Sequence, residues 1–74
     1  MTINYRVEIE REDDGRFLAE VMDMPGVTAY GTSADDALAH VQALALRVLA
    51  DQLEHDEGPR GAVSVQFETA AAAA

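Results

Sequence analysis

The chain has no cysteine, no lysine and no tryptophan, and only two prolines, two tyrosines and two phenylalanines. Without cysteine, no disulfide and no thiolate zinc site can staple it. Without lysine, all side-chain positive charge rests on 5 arginines against 14 acids, for a net charge of −9. A field of that sign repels phosphate backbones, so direct nucleic-acid binding by this chain is not expected. It suits a basic protein partner, and it equally serves solubility. No segment approaches the ~18 apolar residues of a membrane span. The stretch from Met1 to Arg6 lacks the continuous apolar run of a signal peptide. A cytoplasmic protein without a membrane segment is therefore expected. At 74 residues there is room for one domain, and a chain of this size buries only about 60% of its unfolded surface. Self-association is the remaining source of burial, so a homo-oligomer is expected.

What is present falls into two periodic halves joined by a short punctuated stretch. Ile3, Tyr5, Val7 and Ile9 alternate with Asn4, Arg6, Glu8 and Glu10, a half-buried strand with one wet face. Glu12-Asp13-Asp14-Gly15 follows, and Asp14-Gly15 is a hairpin signal because Gly takes a positive φ that Asp also tolerates. Phe17, Ala19 and Val21 then alternate with Arg16, Leu18 and Glu20 as a second, antiparallel strand, with Leu18 and Met22 on the wet side. Pro25-Gly26 suits a type II turn after Asp23-Met24. A third strand runs from Val27 to Gly31, and Gly31 releases the backbone into a helix.

Ser33 is the expected N-cap, with Asp36 placed for a capping box, although its side chain is shorter than the usual Glu. Asp35 and Asp36 also sit at the positive end of the helix dipole. The helix is expected to run to about His55. Its sheet-facing stripe is Ala34, Ala37, Leu38, Val41, Ala45, Val48 and Leu49, and Leu44, Leu46 and Leu53 widen it beyond one core face. Gly58-Pro59 terminates it, with Gly58 as the left-handed cap. A last strand spans Ala62 to Glu68, with Val63, Val65 and Phe67 inward. Residues 1–69 thus form one domain, and the alanines at 70–74 are a tail outside the fold.

The order is β-β-β-α-β. A strand–helix–strand crossover returns a parallel strand, so the expected fold is α+β. It is a four-stranded mixed sheet of order 3-2-1-4 with one long helix on one face. The other face has no helix left to cover it.

Four consecutive pieces of this pattern resemble the N-terminal domain of the HicB family of antitoxins. Tyr5-Arg6-Val7-Glu8-Ile9-Glu10 is similar to the family's opening strand, and Asp14-Gly15-Arg16-Phe17-Leu18-Ala19 to its "D-G-x-aromatic-x-A" hairpin. Asp23-Met24-Pro25-Gly26 resembles "D-L-P-G", and Gly31-Thr32-Ser33-Ala34-Asp35-Asp36-Ala37 resembles "G-x-T-x-E-E-A". The resemblance covers residues 3–68. Met22 stands where a proline is frequent, Met24 replaces leucine, and His40 stands where asparagine is common. The resemblance implies a partial ribonuclease-H-like fold, self-association, and docking on a small basic HicA-type ribonuclease whose RNA site is thereby blocked. Full-length members also carry a helix-turn-helix or ribbon-helix-helix segment that binds operator DNA. The last strand here runs into five alanines, so no operator binding is expected of these residues.

The ribonuclease-H resemblance also raises a carboxylate cluster for Mg²⁺. Glu8, Glu10, Glu20, Asp23, Asp35 and Asp36 are available, but five dispersed arginines would not hold the substrate phosphates such a site needs. The plainer reading of these acids is a solvated face. His40 follows Asp36 by four residues and His55 follows Asp51 by four, so each pair shares a helix face, one or two ligands short of a metal site. No nucleophile constellation or phosphate loop is present: Ser33 reads as a cap, Ser64 as a strand residue, and Gly15, Gly58 and Gly61 as turns.

The expectation is thus a non-enzymatic HicB-like antitoxin domain with no cofactor, no metal and no catalytic residue. The alternatives are a stand-alone homo-oligomeric interaction module and, more remotely, a degenerate ribonuclease-H-like hydrolase. Leu18, Met22, Tyr30, Leu46 and Leu53 are the expected apolar interface, and Asp51 and Glu54 an acidic docking patch. Asp14, Gly15, Asp23, Pro25, Gly26, Gly31, Ser33 and Asp36 are expected to hold the structure.

Overall fold

The structure, a computed structural model, describes residues 1–69. The expected alanine tail at 70–74 lies outside them. The strands are β1 (Thr2–Arg11), β2 (Phe17–Val21), β3 (Thr28–Gly31) and β4 (Ser64–Thr69), and the helix α1 (Ala34–Glu54) joins β3 to β4. They form one four-stranded sheet of order β3-β2-β1-β4. β1 pairs antiparallel with β2 and parallel with β4, and β2 pairs antiparallel with β3. The α+β architecture and the 3-2-1-4 order follow from the alternation of the strands and from the single crossover.

The core lies between the sheet and α1. Tyr5 and Val7 from β1, Ala19 and Val21 from β2, and Met24 and Val27 from the following loop pack on Ala37, Val41 and Ala45 of α1. Val7, Val21 and Val41 are fully buried, each contributing about 1.5–3 kcal/mol of burial. The alanines at 37 and 45 bring the helix backbone close to the strands. α1 lies over β3, β2 and part of β1, and it hardly reaches β4. Val65 and Phe67 are accordingly only half-buried, with Phe67 resting on Tyr5 at 5.5 Å between ring centroids.

The β1–β2 hairpin closes with Glu12 N–H donating to Arg16 O at 2.7 Å and Gly15 N–H donating to Glu12 O at 3.0 Å. Within this loop only Gly15 takes a positive φ, +89°. This is a three-residue loop with glycine in the left-handed position, so the tolerance of Asp14 for that region is not used. Asp14 instead accepts from Arg16 N–H at 3.0 Å and from Arg16 Nε at 2.7 Å. These bonds hold the Asp14 carboxyl below the usual aspartate range, the backbone N–H contributing most.

Pro25-Gly26 forms the expected type II turn, with Gly26 at φ +84° and Val27 N–H donating to Met24 O at 3.1 Å. β3 starts at Thr28, one residue later than expected, although Val27 O still accepts from Val21 N–H at 3.0 Å. β4 starts at Ser64 rather than Ala62: Ser64 is the first residue paired with β1, opposite Thr2, and its N–H donates to Met1 O at 2.9 Å.

Ser33 caps α1, its Oγ accepting from Asp36 N–H at 3.0 Å. The reciprocal arm of the box is displaced by one residue. Asp36 Oδ2 accepts from Thr32 N–H at 2.9 Å, reaching Thr32 instead of the cap residue itself. At the other end the expectation of Gly58 as left-handed cap is wrong. The positive φ belongs to Asp56, at 58°. Glu57 N–H donates to Gln52 O at 2.8 Å and Asp56 N–H to Leu53 O at 3.5 Å, the two bonds of a Schellman ending. Asp replaces Gly there because its short polar side chain is among the few that tolerate the left-handed region.

Gly31 is needed for closeness, not for its φ. A Cβ built on it would lie 2.2 Å from Ala37 N and 2.6 Å from Ala37 Cα. Strand and helix backbones touch at this point, which fixes how α1 leaves the sheet.

Candidate functional site: the open sheet face and its two edges

Among the described residues, nothing covers the side of the sheet away from α1. Alternation places Asn4, Arg6, Glu8 and Glu10 of β1, Leu18 and Glu20 of β2, Thr28 and Tyr30 of β3, and Gln66 and Glu68 of β4 on it. The register groups them into rows. Tyr30 lies opposite Leu18, and Leu18 opposite Glu10. Glu8 lies directly opposite Glu20, and Arg6 opposite Glu68. The face is therefore an apolar corner, Tyr30 and Leu18, running into three glutamates.

Like charges directly opposite each other on a sheet are destabilising, so the Glu8–Glu20 pair is a local cost that the fold itself does not require. The corner is partly roofed. The Arg16 guanidinium stands 4.2 Å from the centroid of the Tyr30 ring and is held by Asp14 Oδ2 at 2.7 Å. Sequence reasoning missed this contact, since nothing local ties Arg16 to a residue on the neighbouring strand β3. The only hint was that the arginine adjoins the hairpin glycine.

The five apolar residues expected at an interface do not share one surface. Tyr30, 46% exposed, and the half-buried Leu18 are neighbours on the open face. Met22, 40% exposed, follows the end of β2. Leu46 and Leu53 are exposed on α1, in the other layer. Asp51 and Glu54 are exposed in the last turn of α1, and Asp51 Oδ1 lies 3.3 Å from His55 Nδ1. The structure thus brings together Leu18 and Tyr30, and leaves the helical residues apart from them.

Asp23 has a role that its sequence context did not reveal. β2 ends at Val21, yet Met22 N–H donates to Arg6 O at 2.8 Å and Asp23 Oδ2 accepts from Arg6 N–H at 2.7 Å. The carboxylate replaces the missing strand carbonyl and extends the β1–β2 ladder by one rung. Arg6 Nη2 adds an exposed ion pair at 3.5 Å. Burial, with the Asp23 charge in second place, raises the Tyr5 hydroxyl above its ordinary pKa.

His40 Nδ1 meets Tyr30 O at 2.9 Å, and its Nε2 lies 3.6 Å from Asp36 Oδ1. His55 Nδ1 likewise meets Asp51 O at 2.8 Å. Each imidazole is thus engaged with a backbone carbonyl. Among the described residues no three acidic, histidine or cysteine side chains converge on one point. No helix among them is long and apolar enough to cross a membrane. Comparison with known proteins gave no match to a family model, to a curated protein or to a solved structure.

Proposed function

We propose that this chain is a non-enzymatic interaction domain whose open sheet face receives a basic protein. The observation that carries the reading is the Glu8–Glu20 pair, with Glu10 beside it and the Leu18–Tyr30 corner at its end. A guanidinium or ammonium group inserted between those carboxylates relieves their repulsion, and the apolar corner supplies desolvated contact area. Charge complementarity of this kind accelerates and selects the encounter. Together with the resemblance to HicB antitoxins, it favours a small basic HicA-type ribonuclease as the partner, held silent while bound. The partial ribonuclease-H-like ancestry belongs to the same proposal.

The test is reconstitution with the product of a short basic open reading frame adjoining the gene. RNA cleavage by that product should be suppressed by one equivalent of this chain at low salt and restored at high salt. Glu8→Arg with Glu20→Arg should abolish the suppression while leaving the fold intact by circular dichroism. Suppression unaffected by that double change contradicts the face assigned here, and RNA cleavage by this chain alone contradicts the non-enzymatic reading.

A further inference from the structure

We propose that a second copy of this chain pairs antiparallel along β4, joining two four-stranded sheets into one of eight strands. The inference goes beyond the partner proposed above, because it concerns the sheet's edge and not its acidic face. Ser64 N–H bonds Met1 O, so in a parallel ladder Ser64, Gln66 and Glu68 direct their backbone groups to β1. Val65 and Phe67 direct theirs outward, and among the described residues nothing bonds them. β4 carries no lysine and no proline, and its one charge is Glu68 near its end.

The charge pattern points to a second copy. Two chains of net charge −9 repel over most of their surfaces, but β4 holds one charge, Glu68. Centring the pair on Gln66 sets Val65 opposite Phe67 of the other copy, and vice versa. These outward-facing residues then exchange four backbone hydrogen bonds. The same register puts the Ser64 hydroxyl opposite the other Glu68 carboxylate, a donor against an acceptor, and Gln66 opposite Gln66. Val65 and Phe67, which α1 leaves half-buried, meet their counterparts on the helix side. The assembly closes at two. The contact is isologous, and on the opposite β3 edge the outward carbonyl of Tyr30 is taken by His40 and the Thr32 N–H by Asp36, so that edge offers a further copy fewer free backbone groups than β4 does.

The absence of cysteine makes the test clean. Gln66→Cys places two thiols at a non-hydrogen-bonded antiparallel position, about 4.5 Å between Cα atoms, within disulfide reach. Asn4→Cys, one strand further in on the same face, does not meet its counterpart. The full chain is expected to sediment at twice its 7.9 kDa. Gln66→Cys should oxidise to a covalent dimer about tenfold or more faster than Asn4→Cys, as a held pair does over a diffusing one. Val65→Pro removes an outward N–H, a change that edge strands accept, and exchanges a half-buried side chain for one of similar size. It should give a folded monomer by circular dichroism and sedimentation. A parent chain that stays monomeric at millimolar concentration overturns the proposal. So do assemblies that grow beyond two, or cross-linking of Asn4→Cys as fast as Gln66→Cys.

Discussion

At the β3 edge of the sheet the Tyr30 carbonyl meets His40 and the Thr32 amide meets Asp36, both carried on the first two turns of α1. At the β4 edge the outward amides and carbonyls of Val65 and Phe67 meet nothing among the described residues. The difference comes from chain order. α1 follows β3 directly through Thr32 and Ser33, so its side chains fall back over the strand they have just left. β4 follows α1, and the helix has already spent its apolar stripe on β2 and β3. One edge is partly closed by the start of the helix, and the other is left open among the described residues.

The largest effect is expected where the sealed side is tightest. Gly31→Ala drives a Cβ into the backbone of Ala37, and neither backbone can yield without separating β3 from α1. Urea unfolding should show a loss of about 3 kcal/mol or more. A loss under about 1 kcal/mol would show that the junction is looser than described.

Next comes a contrast between the covered and uncovered strands. Val7→Ala opens a cavity under α1 and should cost about 2 kcal/mol. Val65→Ala on the bare strand should cost less than about 1 kcal/mol in dilute solution, and more as concentration rises. Equal, concentration-independent losses would erase the distinction between the strands.

His40→Ala releases the Tyr30 carbonyl at the sealed edge. It should cost about 1 kcal/mol and yield species larger than a dimer in sedimentation. An unchanged mass distribution would mean that the other contacts of β3 seal the edge without His40.

The smallest effect is one of pH. The Thr32 N–H, then the His40 charge and the Thr32 hydroxyl, hold the Asp36 carboxyl below its ordinary pKa. A lowered folded-state pKa gives stability that is present above the unfolded value near 3.9 and is lost as pH falls through the folded value. Asp36→Asn keeps an acceptor for Thr32 but cannot titrate. Its melting temperature should fall less steeply than the parent's below about pH 4, and parallel slopes would contradict the role given to Asp36.

Much of this fold is legible in the sequence because its signals are local. The alternation around Val7 and Val21, the Pro25-Gly26 turn and the Ser33 cap each depend on neighbours within a few residues. The order of the strands then follows from one crossover. What escaped was set by contacts distant in sequence. Asp23 serves as a rung because β2 stops short of Arg6, Arg16 finds Tyr30 on the neighbouring strand, and His40 finds the Tyr30 carbonyl across a turn. Gly31 invited a conformational explanation and has a steric one. Asp56 carries no such signal, because glycine is the ordinary choice for a left-handed cap and Gly58 stands nearby. The open face was foreseen from the single helix, but its Glu8–Glu20 pairing needed the register.

Amide hydrogen exchange at Val65 and Phe67, followed by NMR across a dilution series, tests the contrast between the edges most directly. Ser64, Gln66 and Glu68 amides bond β1 and should be protected at every concentration. Val65 and Phe67 should exchange freely in dilute solution and gain protection as concentration rises. Free exchange of those two amides at every concentration would contradict it.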